Sequence, residues 1–390
     1  MVSKNNIQSS VKRCTLFMGA MLLAVCVFTA CVEEEPGNTD CPQANHRTVL
    51  VYMGTDNNLS GETAQMLEQL RLGCTNIKGH LLAYVDDRNN SPYLAEISRN
   101  RQGVNEVKVI QQYEESSSAD PVVFASVIRE VTALYPAPSY GLVVFSHASG
   151  WMPEHTYEKP ALRSIIMDGK EKREMEITDF AAAIPDGQLD FILFDACFMA
   201  GIETVWELKD KTKYILGSSA EVLSPGFTYV YPAYLPSLFE PQAGLQAFGE
   251  AVYRYFDRQQ GDHRSFTGSI IRTGRLPELA AFLKENVDAS LPRQADINEL
   301  QAFDRNGQGL FFDLTGYYSR LVPESKRDEL ERLVDGCVVW KASTPQFMPS
   351  YGGFEIRQHS GLTTYIPQER YPKLNEAWRE LKWYKTISNE

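Results

Sequence analysis

Apolar runs alternate with segments of helical spacing through the first two thirds of the chain. The runs lie at residues 46–53, 81–85, 140–147, 189–194 and 214–218, and most of their positions are apolar. Strands that are buried on both faces of a parallel sheet have this composition, whereas half-exposed strands alternate apolar and polar positions. The alternation of strands and helices predicts an α/β fold with a mostly parallel central sheet and helices on both faces.

Elements of a different kind flank these runs. Two short β-forming stretches at 93–97 and 107–110 predict a peripheral hairpin, and a helix is expected directly after Cys197, over 199–209. Beyond residue 258 the pattern predicts a strand at 266–272, helices at 276–287, 324–340 and 371–384, and a hairpin across 354–365. The pattern leaves open whether residues 259–390 form a separate α+β extension or pack on the same sheet.

The first 30 residues have the pattern of a targeting segment. Three basic residues precede the apolar stretch 14–30, which is typical of a signal peptide. Phe-Thr-Ala-Cys at 28–31 resembles a bacterial lipobox, in which Cys31 would be acylated, and Val-Glu-Glu-Glu at 32–35 resembles the export signal of Bacteroidetes surface lipoproteins. An ordinary cleaved signal peptide and a membrane anchor are the alternatives. Residues 31–45 are polar and predict a flexible tether.

Charge and cysteine content narrow the possible functions. The formal net charge is −12, which disfavours binding to a nucleic-acid backbone and is compatible with basic peptide substrates. Four of the seven cysteines follow Cys31, and Cys41 and Cys74 are candidates for a disulfide in an oxidising compartment. No C-x-x-C or H-E-x-x-H occurs, so the sequence supports no zinc site and requires no cofactor.

Two residues with nucleophile and base chemistry follow neighbouring apolar runs. Cys197 comes just after the run at 189–194, His147 ends the run at 140–147, and 50 residues separate them. Because the carboxyl ends of parallel strands meet at one sheet edge, we expect both side chains at that edge. A thiol needs a basic neighbour to act as a nucleophile, and His147 is the candidate. The alternative is that Cys197 is one more buried cysteine.

The motifs around these residues carry a specific resemblance. Ser-His-Ala-Ser-Gly-Trp at 146–151 and Asp-Ala-Cys-Phe-Met-Ala at 195–200 resemble the two signature motifs of the clostripain family of cysteine peptidases, over roughly residues 48–234. The resemblance implies a caspase-like α/β/α peptidase domain at 46–258, with 259–390 as the extension. It also implies His147 as general base, Cys197 as nucleophile, and the backbone N–H groups of Ala148 and Cys197 as the oxyanion hole. Glycine is common in the family where Ala148 stands, and a left-handed backbone there would strain an alanine.

The resemblance also implies a substrate preference. Family members cleave after Arg or Lys, which an acidic S1 pocket would bind. Asp195 matches the family's Asp-Ala-Cys position and is the S1 candidate, with a carboxylate at a helix start as the alternative. Glu221 begins an aromatic loop at 221–241 that is expected either to wall the cleft or to form a packed Ω-loop, and is a second S1 candidate. Calcium dependence occurs in the family, and some members are cut internally between the His and the Cys. The insertion 152–175 has the basic residues that such processing needs, and the alternative is a solvated loop.

The sequence therefore predicts a lipid-anchored, cell-envelope cysteine endopeptidase with a Cys197–His147 dyad, anchored in the outer membrane and exposed at the surface. Its partners would be peptide or protein substrates and the membrane that holds the lipid anchor, with no nucleic acid. One alternative is a non-catalytic surface binding protein that retains a caspase-like scaffold. Another is a transpeptidase that passes the acyl group to an amine. The Cys and His favour the enzyme, whereas Ala148 and the aromatic loop favour the binding protein.

Overall fold

The protein is built around one large β-sheet flanked by helices. The structure, a computed structural model, describes residues 47–153, 165–170, 173–240, 243–287 and 297–388. The strands in chain order are β1 (Arg47–Thr55), β2 (Gly79–Asp87), β3 (Asn90–Arg99), β4 (Asn105–Gln112), β5 (Tyr140–Phe145), β6 (Met167–Asp168), β7 (Arg173–Glu174), β8 (Leu189–Asp195), β9 (Thr212–Gly217), β10 (Thr267–Arg272), β11 (Phe312–Asp313), β12 (Val338–Ser343), β13 (Gln346–Phe347), β14 (Phe354–Glu355) and β15 (Thr363–Thr364).

Nine of these strands form the central sheet, in the order β12-β10-β9-β8-β5-β1-β2-β3-β4. The five inner strands β9, β8, β5, β1 and β2 are parallel to one another, as the apolar runs predict. The hairpin β3–β4 adds to one edge in antiparallel orientation, and β10 and β12 do so at the other. A mostly parallel sheet of this kind needs cover on both faces.

Helices supply that cover. In chain order they are α1 (Thr63–Gly73), α2 (Pro121–Leu134), α3 (Ile177–Ala183), α4 (Ile202–Glu207), α5 (Tyr231–Tyr234), α6 (Leu245–Asp257), α7 (Leu276–Asn286), α8 (Leu314–Tyr318), α9 (Arg327–Cys337), α10 (Pro372–Glu380) and α11 (Lys382–Ile387). Alternate residues of β1 point into two separate hydrophobic cores, Tyr52 into one and Val51 into the other. Helices α2, α3, α4 and α7 to α11 pack into the first core, and α1, α5 and α6 into the second.

The chain beyond residue 258 contributes directly to this sheet. Strand β10 pairs antiparallel with β9, and β12 pairs with β10. Helix α4 also contacts the C-terminal part, because the buried Glu203 carboxylate accepts hydrogen bonds from the Tyr365 N–H and the Trp378 indole. The division into domains at residue 258 stays a prediction.

Four predicted elements differ from the structure. The helix expected over 371–384 is divided into α10 and α11, because Leu381 between them has an extended backbone. The helix expected over 324–340 ends at Cys337, because the β-forming residues after it pair with β10 as β12. The hairpin expected across 354–365 does not form: β14 pairs with β13 and β15 pairs with β11. The helix expected over 199–209 is shorter, because residues 197–200 make a turn before α4.

Candidate active site

The turns that carry His147 and Cys197 lie side by side at the carboxyl edge of the parallel sheet. Strands β5 and β8 are adjacent and parallel, with Phe145 opposite Asp195 in the register. His147 lies two residues after Phe145, and Cys197 lies two residues after Asp195. Both residues therefore lie at the carboxyl edge of the sheet. The aligned register brings the two motifs together.

Close backbone packing joins these two turns. Gly150, in the turn after His147, has φ +68° and lies against the carbonyl of Phe198, the residue after Cys197. A Cβ at position 150 would come within 2.8 Å of that carbonyl oxygen. Any larger residue would force the turns apart, so the glycine of the Ser-His-Ala-Ser-Gly-Trp motif has a steric reason.

The Cys197 thiol is half-buried and held in its protonated form. Burial is the main cause that raises the pKa of this thiol to about 12, and the acidic groups of Glu221 and Asp195 act in the same direction. The Val222 N–H, which donates to Sγ at 3.3 Å, and the Arg305 guanidinium both lower the pKa. Because the thiol keeps its proton at neutral pH, nucleophilic attack requires a base that removes it.

The backbone directly after the thiol is strained. Phe198 has φ +60°, a left-handed conformation that costs a non-glycine residue on the order of 1–3 kcal/mol. Its ring stacks on Phe311, with centroids 4.2 Å apart and planes 11° from parallel. Its N–H donates to the Ala220 carbonyl. These contacts explain why the chain turns at 197–200 and does not enter a helix at once.

His147 has a hydrogen-bond partner that the sequence did not reveal. Its Nε2 lies 2.7 Å from Oδ1 of Asn58, in the turn after β1. The buried neighbour Asn57 holds this turn, because its side-chain amide donates to the carbonyls of Gly54 and Met167. This contact at Nε2 fixes the orientation of the imidazole ring.

Ala148 has no left-handed backbone. It is buried, and it is absent from the described non-glycine residues with positive φ, which are Asn76, Phe198, Asn306 and Met348. The strain that an alanine would suffer there does not arise. Within the described residues, the N–H groups of Ala148 and Cys197 donate to no protein acceptor.

Asp195 is the last residue of β8 and is buried beneath the loop that begins at Glu221. It does not stand at a helix start, because α4 begins only at Ile202. Its Oδ2 accepts the Phe227 N–H at 2.9 Å, and its buried Oδ1 has no partner among the described residues. Burial raises the pKa of this carboxyl to about 8, the Phe227 N–H lowers it, and Glu62 raises it. Near neutral pH it therefore holds a proton.

The second S1 candidate, Glu221, is paired with a cation from the C-terminal part of the chain. Arg305 Nε lies 2.5 Å from one carboxylate oxygen of Glu221, and Nη2 lies 2.8 Å from the other. The aromatic loop that follows Glu221 is packed and includes α5, and its Phe227 and Tyr231 are buried in the second core. The loop is therefore packed on the second core, and it contacts the thiol through Val222.

Other predicted features lie partly outside the described residues. The structure does not describe residues 1–46, which include Cys31 and Cys41, or most of the insertion 152–175. The Cys74 thiol is buried and donates to the Ile97 carbonyl. In the described ranges, no three His, Cys, Asp or Glu side chains cluster as metal ligands. No described helix has both the length and the apolar character needed to cross a bilayer.

A mostly parallel α/β/α sandwich with Cys and His turns at one sheet edge is the architecture of caspase-like cysteine peptidases. The chain belongs to the clostripain family of these enzymes, whose sequence profile matches residues 51–337. This match extends well beyond Tyr234, so the C-terminal part carries more of the family's features than the motifs alone suggested. No sequence among the curated proteins matches the chain.

Two solved structures support the assignment. An inactive zymogen C11 protease from Parabacteroides distasonis is 31% identical, with a TM-score of 0.76 over 87% of this chain and 97% of that one. A secreted C11 cysteine protease from Bacteroides thetaiotaomicron, in complex with an irreversible peptide inhibitor, is 26% identical, with a TM-score of 0.76 over 88% and 99%. The protein is therefore a cysteine peptidase that acts on peptides or proteins.

Proposed function

We propose that the protein is an endopeptidase that hydrolyses peptide bonds through a Cys197–His147 dyad and an acyl-enzyme. The observation that carries this proposal is the contact between the two motif turns, where Gly150 lies against the Phe198 carbonyl. The parallel register of β5 and β8 supports it, because it assigns both residues to one sheet edge. A related C11 protease forms a complex with an irreversible peptide inhibitor, which also fits a reactive thiol.

In the proposed reaction, His147 accepts the Cys197 proton as sulfur attacks the scissile carbonyl carbon. The N–H groups of Ala148 and Cys197 donate to the resulting oxyanion, since neither is engaged within the described residues. The C–N bond then breaks, and the leaving amine takes the proton from His147. Water, deprotonated by the same imidazole, then attacks the thioester carbon. The C–S bond breaks, the acid is released, and the Cys197 sulfur takes the proton back from His147.

Asn58 is assigned the role of orienting His147 in this reaction. Its side-chain oxygen is neutral, so it fixes the ring orientation without adding a charge to stabilise the imidazolium. The ring is held by a turn that Asn57 anchors, which limits its motion during transfer.

A basic P1 residue is the proposed substrate preference. The support is Oδ1 of the Asp195 carboxyl, which is buried near the nucleophile and has no partner among the described residues. An Arg or Lys side chain would satisfy this oxygen and favour the ionised carboxylate. Glu221 is the second acidic group proposed for the S1 pocket, although its carboxylate already forms an ion pair with Arg305.

The proposed location is the outer membrane, with the protein anchored by lipid on Cys31 after removal of residues 1–30 and exposed at the cell surface. The motif at 28–31 supports this, and the related secreted C11 protease fits export from the cytoplasm. More than one acyl chain gives stable anchoring. Cys31→Ser should release the protein from the membrane fraction and abolish incorporation of labelled palmitate, whereas retention in that fraction would contradict the anchor.

A fluorogenic panel with Arg, Lys, Ala and Asp at P1 tests the proposed activity. We expect wild type to cleave the basic substrates fastest and Cys197→Ala to show no turnover. A product assay with an added amine separates hydrolysis from transpeptidation, because a transpeptidase would give mainly the amide. If wild type cleaves no substrate but binds peptides with the same affinity as Cys197→Ala, the non-catalytic binding function replaces the peptidase.

A further inference from the structure

A two-point ion pair lies immediately beside the candidate nucleophile. Glu221 and Arg305 are joined through both carboxylate oxygens, and their side chains are only 17% and 24% exposed. Glu221 directly precedes Val222, whose N–H donates to the Cys197 sulfur. The charges of Glu221 and Arg305 both act on that thiol, in opposite directions. The pair is therefore part of the surroundings that a substrate meets at the thiol.

The loop that carries Arg305 is fixed by its own hydrogen bonds. The buried Asp304 carboxylate accepts the N–H groups of Gly309, Leu310 and Phe311. Arg305 also donates from Nη1 to the Tyr351 carbonyl at 3.2 Å. A cation held in this way stays in place at little entropic cost, unlike a long side chain that is free in solvent.

The same loop reaches the other side of the nucleophile. Phe311 stacks on Phe198, the residue directly after Cys197, while Arg305 binds Glu221 in the segment that contacts the sulfur. One short segment from the C-terminal part thus contacts two separate parts of the thiol's surroundings. The placement of Arg305 is a feature of the fold and not an isolated surface contact.

We infer that Arg305 is a specificity-determining residue that neutralises Glu221 and thereby weakens the preference for basic P1 side chains. This inference rests on the proposed function. A guanidinium seated on both oxygens of a carboxylate is the arrangement by which a P1 Arg would be recognised. With Arg305 in that position, a basic P1 residue meets a neutral pair, and Asp195 is left as the carboxyl that can attract it.

Charge-changing variants at the pair test the inference. The measured quantity is the ratio of kcat/KM for a P1-Arg substrate to that for the matched P1-Ala substrate. Arg305→Gln exposes the negative charge of Glu221 and should raise the ratio by roughly ten- to thirty-fold, the effect of one charge at several ångströms in a partly screened site. Glu221→Gln should lower it by a similar factor.

Further variants separate the charge effect from a general disturbance of the site. The double variant Arg305→Gln/Glu221→Gln is neutral again and should return to within about three-fold of the wild-type ratio. Arg305→Lys keeps the charge and should leave the ratio near wild type. Arg99→Gln, which removes one cation from the end of the β3–β4 hairpin, is the matched control for net charge and should have no effect.

The outcomes distinguish the inference from the proposed function. An unchanged ratio in Arg305→Gln, or a double variant that keeps the ratio of Arg305→Gln, overturns the role of Arg305 while cleavage itself stands. Absence of cleavage in wild type and in every variant overturns the peptidase proposal, and the inference with it. If Arg305→Gln does not fold, Glu221→Gln and Arg305→Lys test the inference in its place. An unchanged kcat/KM ratio in Glu221→Gln also overturns the inference.

Discussion

The pKa of Asp195 leads to a prediction about pH and substrate preference. Burial raises the pKa of this carboxyl to about 8, so its ionised form becomes dominant only above that pH. A P1 guanidinium stays charged throughout this range, and it should bind the ionised carboxylate more tightly than the protonated one. Preference for P1 Arg should therefore increase as the pH rises.

The size of the effect follows from the same pKa. A carboxyl with a pKa near 8 is about one-tenth ionised at pH 7 and about nine-tenths ionised at pH 9. If P1 Arg binds only the ionised form, the ratio of kcat/KM for P1-Arg to that for P1-Ala rises about ten-fold between these pH values. Changes in the thiol and the imidazole affect both substrates alike and cancel in the ratio.

The assay measures both substrates from pH 6 to pH 9.5 with wild type and Asp195→Asn. The asparagine has nearly the same shape, and its oxygen can still accept the Phe227 N–H. Its ratio should be lower and independent of pH. A wild-type ratio that is flat, or one that rises equally in Asp195→Asn, would refute the assignment of Asp195 to the S1 pocket.

Three further predictions concern the residues around the dyad. Asn58→Ala should lower kcat roughly ten- to hundred-fold with little change in KM, because the imidazole loses its orientation. Asn58→Asp should retain more activity and move the acidic limb of the pH–rate profile to higher pH. Equal losses of kcat in both variants, with unshifted pH–rate profiles, would contradict the orienting role. Glu62→Gln should move the midpoint of the Asp195 effect to lower pH, because Glu62 raises that pKa, and an unmoved midpoint would refute this coupling. Phe311→Ala should lower the free energy of unfolding in urea by about 3–5 kcal/mol, since it removes a buried ring from beside Phe198; a loss below about 1 kcal/mol would show that the stack contributes little.

The parallel sheet and the strands that precede the two residues of the proposed dyad could be predicted from the sequence. Apolar runs at 140–147 and 189–194, with a helix between them, indicate neighbouring parallel strands, and the structure has β5 and β8 in that relation. The spacing of the two motifs then assigns both residues to one edge. The period of apolar residues and the alternation of strands and helices are local properties of the chain, so the sequence alone is enough to predict this arrangement.

Contacts between distant loops could not be predicted in this way. Asn58 meets His147 across 89 positions, and Arg305 meets Glu221 across 84. Asparagine in a turn and arginine in a polar loop are both common, so nothing local distinguishes these two residues. The unpredicted turn after Cys197 has the same origin, because Phe198 is held in its left-handed conformation by Phe311 from the C-terminal part.

The measurement that tests the dyad most directly is covalent labelling by a peptidyl-Arg electrophile, read by mass spectrometry of the intact protein and its peptides. A Cys197–His147 dyad should give a single adduct on Cys197 in wild type, no adduct in Cys197→Ala, and labelling at least about ten-fold slower in His147→Ala. Labelling of other thiols while Cys197 stays unmodified, or equal rates in wild type and His147→Ala, would contradict the dyad.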